Sequence, residues 1–144
     1  MGWWATKTRQ AVRHLSGRVS AGERSDLGVR LTPEQLALFE SMHRADQRHG
    51  LDVAAHLRAA GHDDPELLLA ALLHDCAKGR AVHLPHRVAW SLGERYGDHV
   101  LTISARLPGF RTAFERLAVH PEASARLARE AGCSERTVEL IRHQ

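Results

Sequence analysis

Aromatic residues make up only 5% of the chain, and no segment alternates β-branched with polar residues. Material for a sheet is therefore missing, and an all-helical domain is the economical expectation. Two cysteines, Cys76 and Cys133, are too few for a disulfide framework and fit a reducing compartment, so a cytoplasmic location is expected. No apolar stretch approaches the roughly 20 residues that cross a bilayer. The N-terminus has no long apolar core after its first charges, which argues against a secretory signal. Internal repeats and low-complexity tracts are absent as well. At 144 residues the chain is long enough for one domain with its own core.

The net charge of +3 is unevenly placed. Residues 1–30 hold six basic side chains against Glu23 and Asp26, a net of +4, which leaves −1 for the rest. Basic character thus belongs to a leader and says little about what the domain binds. Trp4, Ala11, Val12 and Leu15 could form one face of a short basic helix there. Such an arm could make a weak contact with a membrane surface or nucleic acid. A helix that packs its tryptophans on the domain is the simpler reading.

Beyond the leader, helix signals recur. Thr32-Pro33-Glu34 is an N-cap, first-turn proline and first-turn acid, opening a helix to about His43. A second helix is expected over about 46–60, stopped by Gly61, with His49, Val53, Leu57 and Ala60 on its inward stripe. Asp64-Pro65-Glu66 starts a third, expected to carry Leu67–Leu73 and His74-Asp75 to about Ala77. Further helices are expected over about 85–96, from His120-Pro121-Glu122 to about Ala131, and from Ser134-Glu135 to the end. Residues 98–118 are ambiguous.

The most informative stretch is the run of seven apolar residues, Leu67–Leu73, that leads straight into His74-Asp75. An apolar run of this kind is a core helix, and ionisable groups at its end are costly unless something pairs with them. A divalent cation suits both. The helices at 46–60 and 65–77 are joined by a short link and should pack as antiparallel neighbours, which brings His49 to His74-Asp75. Most of the eleven histidines, His14, His56, His62, His83, His86 and His99 among them, have no such partner and read as surface or satisfied core residues. Cys76 reads as a small core residue. Asp46, three residues before His49 on the same face, could orient a ligand or bind a metal. Arg44 and Arg80 could meet a substrate phosphate, though surface ion pairing explains them equally.

Arg48-His49-Gly50-Leu51-Asp52-Val53-Ala54, followed by Ala70-Ala71-Leu72-Leu73-His74-Asp75-Cys76-Ala77-Lys78, resembles the HD-domain metal-dependent phosphohydrolases, whose pattern is H…HD…D. Gly50 stands where that pattern often has Ser, and Cys76-Ala77 where it often has Ile-Gly. Val119–Leu127 is similar to the HPE segment of the branch with extra histidines, and Val138–Gln144 to its I-x-x-HH segment, with Gln144 in place of the second His. The resemblance spans residues 34–144 and implies an all-α, HD-domain-like bundle of five or more helices over 31–144, with 1–30 outside it. It implies that His49, His74 and Asp75 hold a first divalent ion (Mn, Fe, Mg, Ni, Co or Zn). In the two-metal branch Asp75 bridges and His120 and His143 hold a second.

The implied activity is a phosphomonoesterase or phosphodiesterase acting on a small phosphorylated substrate, a nucleotide or similar compound. Asp75 serves as a ligand and could take a proton from water; Lys78, one helical turn on, could neutralise phosphoryl charge or simply sit at a helix C-terminus. The family's last aspartate would lie beyond Gln144, so the domain is expected to lack its C-terminal helix, through truncation in the favoured view. An inactive HD scaffold that binds nucleotides, or a structural protein using its leader as contact site, are the alternatives.

Overall fold

The computed structural model describes residues 2–144, leaving aside the side chains of Trp3, Lys7, Gln10, Ala11, Arg13, His14 and Leu15. The described residues form an all-α bundle with no strand: α1 Trp3–Ser16, α2 Ala21–Arg30, α3 Pro33–Ser41, α4 Arg44–Ala59, α5 Pro65–Leu73, α6 Leu84–Tyr96, α7 Asp98–Ser104, α8 Phe110–Glu130 and α9 Glu135–Arg142. Among them no helix is long and apolar enough to cross a membrane.

Local chemistry sets most of the starts. The Thr32 hydroxyl accepts from the Gln35 amide, and the Gln35 side chain returns to the Thr32 amide, a reciprocal cap in front of Pro33. Ser20 and Glu23 do the same for α2. Asp64 accepts from the Glu66 amide ahead of α5, and Ser134 from the Thr137 amide ahead of α9. His43 caps α4 through its Nδ1, 3.2 Å from the Ala45 amide.

Two apolar clusters organise the bundle. The larger surrounds α5: Leu68, Leu72 and Leu73 pack with Phe39, Met42, Ala54, Ala125, Ala128, Val138 and Ile141. The smaller joins α6 to the first half of α8 through Val82, Ala89, Ala113, Phe114 and Leu117. The long helix α8 thus belongs to both, with Phe114 and Leu117 in the smaller cluster and Ala125 and Ala128 in the larger.

Within residues 1–30, α1 packs on α4 and Leu27 of α2 is 4% exposed within the larger cluster, while two expectations further along the chain change. On the proposed leader face, Trp4 and Val12 are exposed, while Ala11 and Leu15 lie outside the described side chains. Helix α5 ends at Leu73, so His74-Asp75 occupies a tight turn, closed by Cys76 N–H to the Leu73 carbonyl and Lys78 N–H to that of Asp75. His120-Pro121 does not begin a helix but lies inside the 21-residue α8, where burial of residues on both sides of the proline holds the helix together.

Candidate metal centre

Two backbone features carry His49 to His74 and Asp75. Gly50 puts α4 in direct backbone contact with the end of α5: a Cβ there would sit 2.8 Å from the Leu72 carbonyl oxygen. The turn after α5 is then fastened to α8 by Ser124, which is fully buried and accepts the Ala77 amide at 3.0 Å. With both in place, the ligand atoms of His49, His74 and Asp75 lie within 4.8 Å of one another. Ligands on a common ion at about 2.1 Å are at most about 4.2 Å apart, so small side-chain rotations close the set. These three residues could hold a metal ion.

His120 joins them. Its Nε2 is 3.4 Å from Asp75 Oδ1, and the Nε2 of His74 is 3.5 Å from the same atom. Neither contact is a hydrogen bond, and Oδ1 is buried without a hydrogen-bond partner. The tautomers follow from the opposite edge of each ring. His74 Nδ1 lies 2.8 Å from the Ala71 carbonyl, and His120 Nδ1 lies 2.6 Å from that of Leu117. A carbonyl only accepts, so both Nδ1 atoms carry hydrogen, and a ring with no second hydrogen turns its Nε2 lone pair toward Oδ1. The Leu117 carbonyl is available because its usual donor, the amide four residues on, is missing at Pro121. The Ala71 carbonyl is one of those left over at the end of α5. Two lone pairs and a carboxylate oxygen facing one another require a cation between them, a metal ion or protons on the rings.

Lys78 takes the other carboxylate oxygen, with Nζ 2.7 Å from Oδ2. Asp75 itself is 2% exposed. Its burial favours the neutral acid, but in the metal-free site a hydrogen donated from His120 and the Lys78 ammonium outweigh it and hold the carboxyl well below the usual range. His49 opens onto the cavity above the cluster, yet lost hydration pushes its imidazole down against the pull of Asp75, with the neighbouring His74 and Lys78 adding to the fall. A depressed imidazole is neutral at pH 7 and so already in the ligating form.

The remaining candidates lie elsewhere. The His143 side chain is 73% exposed and paired with Glu139 at 3.2 Å; just past α9, the Gln144 side-chain amide donates to the His74 carbonyl. Asp46 is buried, but Arg87 takes both its oxygens at 2.5 and 2.7 Å, which leaves it committed to holding α6 against α4. Arg80 donates to the carbonyls of Ser41 and Glu40. Arg87, Ser124 and Trp90 also border the site without any local pattern that marks them. A pairing 41 residues apart and a serine inside an Ala-rich helix leave no periodic signal.

Above the cluster is a cavity of about 630 Å³. His49, Asp75, Lys78 and His120 form its polar end. No protein-family model, curated protein or solved structure matches this chain.

Proposed function

We propose that the chain is a metal-dependent phosphohydrolase of the HD type, a phosphomonoesterase or phosphodiesterase for a nucleotide or similar small phosphate compound. The observation that carries this reading is Asp75 Oδ1, a buried carboxylate oxygen without a hydrogen-bond donor, faced by the Nε2 atoms of His74 and His120. The imidazole-rich donor set suits Mn, Fe, Co, Ni or Zn better than Mg, which prefers oxygen ligands. A divalent ion held there would lower the pKa of a bound water and polarise a phosphoryl oxygen.

The chain's own groups supply the rest. Lys78 keeps an ammonium at the mouth of the polar end, where negative charge would gather on phosphoryl oxygens in the transition state. Asp75 is held so firmly as the anion that it serves better as a cation ligand than as a proton acceptor. Carbonyl bonds fix the rings of His74 and His120, so little reorganisation is needed to ligate.

A second reading is favoured by the position of His143, which leaves the centre with three imidazoles and one carboxylate. In that reading the chain binds a phosphorylated ligand without turning it over. Elemental analysis of the purified protein, with phosphate release from nucleotides across a metal panel, separates the two. Bound transition metal with metal-dependent release supports the enzyme; calorimetric nucleotide binding without turnover supports the module. If the protein takes up no divalent ion and His74→Ala changes nothing, both fail.

A further inference from the structure

Part of the cavity lining has no role in phosphate chemistry: Val53, Val88, Leu92 and two indoles, Trp90 of α6 and Trp4 of α1. Trp90 is braced against Phe114, with ring centroids 5.8 Å apart, and donates its Nε1–H to Glu94 at 3.0 Å. Its polar edge is thereby satisfied, and ring surface is what it offers the cavity. Trp4 comes from outside the segments that resemble HD domains, yet α1 packs on α4 and brings this residue to the cavity. Trp4 is 63% exposed, an unusual setting for so large an apolar residue.

Two of the acids in this lining are already engaged. Asp52 accepts from Arg48 at 3.1 Å, and Glu94 accepts from Trp90. The same cavity is therefore lined both by groups that suit an anion and by flat apolar surface. The volume of about 630 Å³ is in the usual range for a small-molecule site, about 300–1,000 Å³. We propose that Trp4 and Trp90 grip a planar aromatic group on the phosphorylated ligand, which makes α1 part of the ligand site and Trp4 a specificity-determining residue. This rests on the phosphate reading of the polar end. Indole faces favour a flat π-surface over a flexible alkyl chain, because stacking adds to area burial.

The test uses the full chain with Mn²⁺ and three probes: 1-naphthyl phosphate, n-octyl phosphate and inorganic phosphate. Binding is followed by equilibrium dialysis and tryptophan fluorescence. Naphthyl phosphate is expected to bind more tightly than the other two. Trp4→Ala and Trp90→Ala should each weaken it by about fivefold to a hundredfold, with inorganic phosphate unaffected and Trp90→Phe recovering most of the loss. Trp4→Ala carries the test if Trp90→Ala, which loses its contact with Phe114, fails to fold.

Equal binding of naphthyl and octyl phosphate, or an equal loss for naphthyl and inorganic phosphate in Trp4→Ala, overturns the proposal. A fourth probe, 1-naphthol, separates its failure from that of the phosphate reading. Naphthol binding that Trp4→Ala abolishes, with no phosphate compound bound, upholds the aromatic clamp and overturns the phosphohydrolase. Inorganic phosphate binding with no gain from the naphthyl group does the reverse.

Discussion

Gly50→Ala adds a single methyl group at the point where α4 and α5 touch. The new Cβ would lie 2.8 Å from the Leu72 oxygen, 3.1 Å from its Cα and 3.2 Å from the Ala71 oxygen. All three are backbone atoms, so no side chain can swing aside. Carbon contacts settle at about 3.5 Å, so α4 must retreat by about 0.7 Å. Overpacking of this kind costs about 1–3 kcal/mol, and here the upper part of that range applies because two helices must separate. Alanine in a helix interior returns about 1 kcal/mol, leaving a net loss of about 1–2 kcal/mol. For a chain of this size that lowers the melting temperature by about 3–8 °C.

The same retreat moves His49, the next residue, away from the Ala71 carbonyl that orients His74. Metal affinity should therefore fall about tenfold or more. Gly28→Ala is the control. It lies in α2 with nothing within 4 Å of its added Cβ, so it should stabilise by up to about 1 kcal/mol. Thermal melts by circular dichroism and Mn²⁺ titration read both effects. A Gly50→Ala protein that melts at or above the parent, as Gly28→Ala should, would refute the close-contact account.

Other perturbations test the supports of the site. Ser124→Ala leaves the Ala77 amide without its acceptor and should cost about 1–3 kcal/mol by denaturant titration, with weaker metal binding; a loss of stability with intact metal affinity would show that the turn does not need this anchor. Arg87→Met strands Asp46, which is 2% exposed, and should cost about 3–5 kcal/mol. Adding Asp46→Asn should recover much of that, and a double variant no more stable than Arg87→Met would refute the pairing as the cause. For metal-free protein, His49 binds protons less readily when folded than its ordinary 6.5 allows. The unfolded chain therefore carries the extra proton, so stability present above about pH 6.5 is lost as pH falls through the folded value. Melting temperatures of the parent from pH 7.5 to 5 should fall more steeply than those of His49→Gln, and parallel slopes would contradict this. Asp75 acts in a separate window, stabilising above its ordinary 3.8 and losing that contribution only under stronger acid.

What could be foreseen in the sequence was mostly what nearby residues decide. Thr32-Pro33, Asp64-Pro65 and Ser134 cap α3, α5 and α9 because a cap needs only a side chain and an amide two or three residues away. The Leu67–Leu73 run is core because its apolarity permits nothing else, and a short link between α4 and α5 was enough to place His49 near His74. Pro121 misled because a helix-start signal is also what a tolerated interior proline looks like; only the packing of Leu117 on one side and Ala125 on the other distinguishes them. Arg87 and Asp46 met through tertiary placement of α6, which no local pattern encodes. His143 resembled a ligand by segment similarity, but its i,i+4 neighbour Glu139 holds it at the surface.

Pro121 also ties the fold to the chemistry. A proline inside a helix costs about 3 kcal/mol through its missing amide and its clash with the preceding turn, so a reason for tolerating it is worth seeking. The missing amide frees the Leu117 carbonyl, and His120 fills it with Nδ1–H. The early end of α5 does the same for His74 through Ala71. In both cases a break in the helical hydrogen-bond ladder fixes an imidazole tautomer and aims Nε2 at the same carboxylate oxygen. Backbone carbonyls are better orienting groups here than carboxylates would be, since they fix the ring without adding negative charge beside Asp75. Pro121→Ala sets the two roles against each other: the restored amide should stabilise α8 while competing with His120 for Leu117. The protein should melt higher yet bind Mn²⁺ about tenfold more weakly. A variant that gains stability and keeps its metal affinity would show that the tautomer of His120 does not depend on the break.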